Sequence, residues 1–189
     1  MNQEILTRFE QHLEECLLNL CTSLNKLKGV LLSSNDIDEH WKELAPHYVA
    51  DAVSQIADYP TVSVAWAGFL GMAVAHGWDQ DWSHWKSLEY TDYYGPNGFD
   101  DMDEYILYDI LALLEDGYEA KELENTLRSC GEKTVMLIRH EHIEPQSPMA
   151  FHIFSRTCKV MYRIGAAIEL KRMGYKFEEI PCIFIEFCV

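Results

Sequence analysis

The chain has 189 residues, of which 31 are acidic and 15 are basic, so its formal net charge is −16. This length corresponds to about one domain that can bury a core without disulfides or structural metal, and we expect a single helical domain over residues 1–189. A hydrophobic fraction of 48% excludes a disordered or low-complexity chain. The negative charge disfavours direct binding to nucleic acid or to an anionic membrane, because both need clustered Lys and Arg side chains.

The sequence contains no segment typical of a membrane or secreted protein. Its longest apolar stretch, residues 62–75, is shorter than the roughly 18 residues needed to cross a bilayer. The N-terminal residues lack the basic patch and apolar stretch of a secretory signal, so we expect a cytoplasmic protein. The six cysteines show neither zinc-site nor Cys-x-x-Cys spacing, so we expect reduced thiols and no bound metal or cofactor.

The first predicted element is a helix with one apolar stripe. Apolar residues recur in steps of three and four from Leu6 to Leu27, and Gly29 is expected to end the helix. The acidic sequence from Asp36 predicts the start of a second helix, because a cap residue followed by an acid three positions later is typical of helix N-termini. Pro46 lies within this helix and is expected to kink it or divide it in two.

Residues 62–75 form the predicted centre of the fold. They are apolar on all sides and rich in Ala and Gly, which favours a buried helix that other helices approach closely. Gly77 is expected to end this helix, and a short aromatic helix is expected over residues 81–88. The turn-forming sequence of residues 90–98 predicts an irregular connection that contains three tyrosines.

Three further elements complete the predicted fold. A helix is expected from Asp100, with Leu114 on its inner face. The next helix is expected over residues 123–142, although residues 135–138 also suit a strand, and the following one over residues 151–168 shows the clearest helical periodicity. The sequence therefore predicts an all-α single-domain bundle of six to eight helices, with a buried central helix near residues 62–75.

The charge is unevenly distributed along the chain. Residues 79–125, here called the acidic segment, contain 14 acidic and two basic residues, a net charge of −12. Residues 151–176 contain six basic residues and one acidic residue, a net charge of +5. Arg156, Lys159 and Arg163 share one face of the predicted helix. This basic face either neutralises the acidic segment within the fold or binds a small anion such as phosphate.

The acidic segment suggests a protein partner rather than a metal ion. It lacks the alternating acids, central Gly and distal Glu of a calcium loop, so helix capping and hydration explain its carboxylates. An acidic, tyrosine-rich surface is suited to a basic partner protein, which the opposite charge would steer onto it. Our leading hypothesis is therefore a non-catalytic cytoplasmic interaction protein with an acidic face for a basic partner.

The alternative is an enzyme that binds a metal or small molecule at residues 76–85. This stretch holds two His, two Asp and three Trp residues, which could line a pocket that tunes a histidine. Its candidate binding residues are His76, Trp78, Asp79, Asp81, Trp82 and His84. The sequence lacks a His-Glu-x-x-His or comparable metal motif, so core tryptophans beside a capping Asp explain the stretch better.

Two further observations bear on function. The sequence contains no Gly-x-Ser-x-Gly elbow and no phosphate-binding glycine loop, which disfavours nucleophilic catalysis and nucleotide binding. The apolar C-terminal segment, residues 181–189, suits either a helix or a strand. Its burial against a second subunit would make the protein a homodimer, which is a further alternative.

Overall fold

The computed structural model describes residues 3–176, which contain helices and no strand. The all-α prediction is therefore confirmed. The six α-helices are α1 (Gln3–Ser23), α2 (Asn35–Gln55), α3 (Pro60–Trp85), α4 (Met102–Tyr105), α5 (Tyr118–His140) and α6 (Pro148–Arg172). Short 3₁₀ turns at Tyr90–Tyr93 and Phe99–Asp101 precede α4, and a π-helical turn at Ile106–Ile110 follows it. The predicted apolar segment 181–189 lies outside the described residues.

Helix α3 is the centre of the bundle, as predicted, and packs against α2, α5 and α6. Its small residues let the backbones of α3 and α6 touch. A Cβ atom added at Gly71 would lie 1.9 Å from the carbonyl oxygen of Tyr162, and one at Gly165 would lie 1.8 Å from that of Gly68. Both glycines are therefore required by the close approach of two helix backbones.

Helix α1 ends earlier than predicted. Asn25 adopts a left-handed conformation with φ 58°, and the next two backbone N–H groups both donate to the carbonyl of Cys21. Asn tolerates this conformation because its short polar side chain bonds locally. The predicted stop at Gly29, which also has positive φ, thus lies six residues beyond the actual end at Ser23.

Helix α2 is continuous through Pro46, so of the two expected outcomes, a kink or a division, the division is wrong. The proline removes the hydrogen bond to the carbonyl of Lys42, but both residues are exposed and water can hydrate that group. The helix begins after Ser34, whose hydroxyl accepts a hydrogen bond from the backbone N–H of Asp36 at 3.3 Å.

Gly77 does not end α3. A Cβ atom at this position would lie 2.0 Å from the Trp85 ring, so the glycine makes room for an indole from the end of the same helix. The helical conformation is interrupted four residues later, at Asp81, with φ −156° and ψ 82°. The short helix expected from residue 81 thus begins at the predicted place, as the last turn of α3 after the kink, although it ends at Trp85 and not at residue 88.

The predicted placement of Leu114 on an inner helix face is wrong. Its side chain is 81% exposed, whereas Ile106 and Leu107 are fully buried. The π-helical turn changes the register of the chain, because it closes with bonds five residues apart. Ala112 then takes φ 51°, which ends the helical path before Leu114.

The last two helices follow the prediction closely. Helix α5 includes residues 135–138, so the strand alternative for them is wrong. Ser147 caps α6 by accepting from the backbone N–H of Ala150 at 3.1 Å, and Gly174 follows the helix with φ 98°. None of the helices within residues 3–176 combines the length and apolar character that a bilayer span requires.

Candidate functional site

The candidate residues of the 76–85 stretch do not converge on a common cavity. The Nδ1 atom of His76 lies 3.0 Å from Oε1 of Glu169, and its Nε2 atom lies 2.7 Å from the side-chain nitrogen of Gln80. Asp79 accepts a hydrogen bond from the Tyr175 hydroxyl at 2.6 Å. The side chains of His76 and Asp79 therefore form hydrogen bonds with different neighbours.

The other four candidates are also held apart. Asp81 is exposed and accepts from the backbone N–H of His84 at 3.3 Å, which makes it the cap of the last turn of α3. The His84 side chain is exposed. Trp78 donates to Asp36 at 3.2 Å, while the Trp82 ring packs edge-on against His40 at 5.4 Å. Within residues 3–176, no three His, Cys, Asp or Glu side chains are grouped as a metal site would require.

Glu169 is the buried charged residue that sequence reasoning missed. Its side chain is fully buried, and Arg172 binds both of its oxygens, with Nε 2.6 Å from Oε2 and Nη2 2.7 Å from Oε1. Burial alone would raise the pKa of this carboxyl, but hydrogen bonds from Arg172 and His76 lower it below its ordinary value. The pairing with His76 links α6 to α3, and Glu169 is the one acid within residues 151–176.

The basic face of α6 pairs with α1 and α2, not with the acidic segment. Arg156 and Lys159 both bind Glu10, the latter at 2.7 Å. Arg163 binds Glu14 and also lies 3.5 Å from Asp38. Of the other bases on this helix, Arg172 reaches the acidic segment through Glu119 at 3.1 Å. The three predicted anion-binding residues thus already have carboxylate partners in the fold.

Most of the acidic segment remains without a basic partner. Three of its 14 acids form ion pairs, through Lys121–Asp116, Lys26–Glu122 and the Arg172–Glu119 pair. The other 11 form none with any residue in the described part of the chain. Their charge is therefore not neutralised by ion pairing inside the bundle.

A cleft of about 420 Å³ lies between α3, α4 and α5. Mostly aromatic and aliphatic side chains of α3 form one wall, and four acidic side chains of α4 and α5, together with Arg128, form the other. Its lining comprises Thr61, Val62, Ala65, Trp66, Phe69, Asp103, Glu104, Glu124, Arg128 and Glu132. A cleft with this lining is suited to a group that combines apolar atoms with a positive charge.

The carboxylates around this cleft share one negative field. Burial, with further contributions from Glu104 and Glu124, raises the pKa of Asp103 to about 6. Burial also raises the pKa of Tyr108 to about 12, together with its 3.1 Å hydrogen bond to Glu124 and the charges of Glu104 and Asp116. We call the carboxylates of Asp103, Glu104, Glu124 and Glu132, which line the cleft, the acidic face.

The predicted tyrosine-rich surface is wrong for residues 90–98. Tyr90 and Tyr93 are buried, and Tyr94 is half-buried. Burial raises the pKa of Tyr93 above its ordinary value. The exposed tyrosine of the acidic segment is Tyr118, at the start of α5, with 78% of its surface accessible.

The chain matches no protein-family model, no curated protein and no solved structure in comparisons with each. Its function is therefore inferred from the arrangement of its own side chains.

Proposed function

We propose that this protein is a non-catalytic binding protein whose acidic face receives a basic partner. The observation that supports this most is the separation of the two charged regions. Arg156, Lys159 and Arg163 pair with carboxylates of α1 and α2, so the negative charge of the acidic segment stays available to another molecule.

The electrostatics of the face favour a cationic ligand. Carboxylates at close range repel one another, and the raised pKa of Asp103 is a consequence of burial reinforced by that repulsion. A bound Lys or Arg side chain would relieve the repulsion and form charge-assisted hydrogen bonds. The field outside the face would also accelerate the encounter with a basic protein, an effect that salt screens.

The enzyme alternative has less support. His76 is engaged by Glu169 and Gln80, and His84 is exposed at the far side of the Asp81 kink. A general acid–base site needs such groups to meet around one reacting atom. The homodimer and the cytoplasmic location stay predictions.

The proposal can be tested with variants of equal net charge. Glu104→Gln, Glu124→Gln and Glu132→Gln together remove three charges from the acidic face. A control variant removes three charges elsewhere, at the exposed residues Glu4, Glu15 and Glu144. Calorimetry then measures the affinity of the full-length wild-type chain and of each variant for a short lysine–serine peptide at several salt concentrations.

The expected result is that the wild-type chain and the control bind the peptide with salt-sensitive affinity. Removing three carboxylates would weaken binding by the face variant roughly threefold to 150-fold, since an exposed charge pair contributes roughly 0.2–1 kcal/mol. Equal affinity for both variants would contradict a localised binding face. Absence of binding by the wild-type chain at low salt would contradict the proposed function as a whole.

A further inference from the structure

An apolar turn projects from the acidic segment between the π-helical turn and α5. Leu114 is 81% exposed and Tyr118 is 78% exposed, more than the other large hydrophobic side chains of residues 3–176. Exposed apolar groups are ordinary when they are scattered, but two such residues within five positions form a local patch. Neither side chain contributes to the buried core of the described residues.

The backbone holds this turn in a defined conformation. The N–H of Leu113 donates to the carbonyl of Leu107 at 3.0 Å, and the N–H of Gly117 donates to that of Leu114 at 2.9 Å. Ala112 and Asp116 both have positive φ, at 51° and 59°. Non-glycine residues adopt this conformation at a cost in free energy, so the surrounding structure must impose it.

Tyr118 is oriented as well as exposed. Its hydroxyl donates to Oε1 of Glu122 at 2.7 Å, one helical turn along α5. This hydrogen bond restricts the rotation of the side chain while its aromatic ring stays accessible. A pre-oriented aromatic side chain loses little conformational entropy on binding, which is one reason why tyrosine is common at interfaces.

The surroundings of the turn are acidic. Residues 109–122 contain five acids and one base. Asp116, Glu119 and Glu122 pair with Lys121, Arg172 and Lys26, whereas Asp109 and Glu115 form no ion pair within residues 3–176. The turn leads directly into α5, the helix that carries Glu124 and Glu132 of the acidic face, so the two surfaces adjoin. The turn thus combines two exposed apolar side chains with the exposed carboxylates of Asp109 and Glu115, which are unpaired in the described part of the chain.

We propose that Leu114 and Tyr118 are the apolar anchor of the acidic face, and that they enter an apolar pocket bordered by Lys and Arg on a basic partner protein. This inference rests on the proposed function and adds the contact that would give it specificity. Charge complementarity selects this occupant over a second copy of the chain, because two copies with a net charge of −16 each would bring like charges together.

Two cationic peptides test the anchor. One is the lysine–serine peptide, and the other has the same length and charge but carries leucine in place of serine on one helical face. The double variant Leu114→Ala with Tyr118→Ala removes the anchor while keeping every carboxylate. The control variant Tyr59→Ala removes a tyrosine that is 61% exposed outside the acidic segment.

The wild-type chain is expected to bind the lysine–leucine peptide about tenfold more tightly than the lysine–serine peptide. Loss of an apolar anchor residue commonly weakens an interface by a factor of this size or more. The double variant should lose this gain and keep its affinity for the lysine–serine peptide, while Tyr59→Ala should keep both. Circular dichroism checks that the helices are intact.

The outcomes separate this inference from the proposed function. If the lysine–serine peptide binds but the double variant retains the full leucine gain, the anchor is refuted and the acidic face is not. Sedimentation of the chain alone provides a second test. Self-association that the double variant abolishes would identify a second copy as the occupant and overturn the proposal.

Discussion

A methyl group added at Gly165 tests the contact between α3 and α6 on which the fold depends. In the variant Gly165→Ala, the new Cβ would lie 1.8 Å from the carbonyl oxygen of Gly68, whereas ordinary contact begins at 3.4 Å. The two backbones would have to separate by the difference, about 1.6 Å, because neither is a side chain that can rotate away.

This displacement sets the expected cost. Overpacking a core costs roughly 1–3 kcal/mol and occasionally more, and alanine recovers up to about 1 kcal/mol through its better helix propensity. Because the obstacle is backbone at the centre of the bundle, we expect a net loss of about 2–4 kcal/mol in the free energy of unfolding. For a chain of this size that lowers Tm by roughly 5–15 °C.

Urea unfolding followed by circular dichroism measures the effect, with Gly68→Ala as the matched control. The Cβ added at Gly68 would meet a terminal methyl of Leu127 at 2.7 Å, and that flexible side chain can move. We expect this control to change stability by less than about 1 kcal/mol. A Gly165→Ala variant as stable as the wild type would refute the close packing of α3 on α6.

Three other variants probe the buried charge, the acidic face and the turn. Glu169→Gln should lower the free energy of unfolding at neutral pH, because the pKa of Glu169 in the folded protein lies below the ordinary 4.5. The stability difference from the wild type should persist above pH 4.5 and disappear as the pH falls through the folded pKa. Asp103→Asn should raise stability above pH 6, where a carboxyl with its pKa raised to about 6 is ionised at a cost, and the gain should vanish towards pH 3.8. Urea unfolding at several pH values measures both, and stability differences independent of pH would contradict these assignments. Leu114→Ala should change the free energy of unfolding by less than about 0.5 kcal/mol, whereas Leu111→Ala, which truncates a buried side chain, should cost about 2–5 kcal/mol; similar losses would contradict the register of the turn.

The parts of the fold that were predictable depend on local patterns. Residues 62–75 are apolar on every side, and such a helix has to lie inside the bundle. The apolar periodicity of α6 and the glycine at position 174 likewise predict this helix and its end from one segment of the sequence. These elements were placed correctly because neighbouring residues alone determine them.

The sequence-based predictions of the fold fail where contacts between distant residues or unusual backbone geometry determine the structure. Gly77 is an ordinary helix terminator in sequence, but in the structure it accommodates the Trp85 ring across the Asp81 kink. Leu114 fits a helical period that the π-helical turn shifts. The kink coincides with the helix start expected at residue 81, whereas the π turn has no local sequence signal of sufficient strength.

The sequence predicted the net charge of the candidate site but not which charged side chains form ion pairs with one another. The net charges of the two segments follow from counting, whereas the partner of Arg163 is Glu14, which lies 149 residues away in sequence. The buried Glu169 likewise pairs with His76, which lies 93 residues away in sequence, across the α3–α6 contact. Such long-range contacts determine whether a charged side chain is paired within the fold or is free to bind another molecule. They cannot be predicted from the composition of a segment.

The central claim is that the acidic face, and not the acidic surface in general, binds cations. A titration of the ¹⁵N-labelled full-length chain with the lysine–serine peptide, followed by NMR, tests it most directly. We expect the largest shift changes at residues 103–132 and at the indole N–H of Trp66 in the cleft wall, and we expect added salt to reverse them. Shift changes spread evenly over exposed carboxylates, or centred on those of α1, would contradict it.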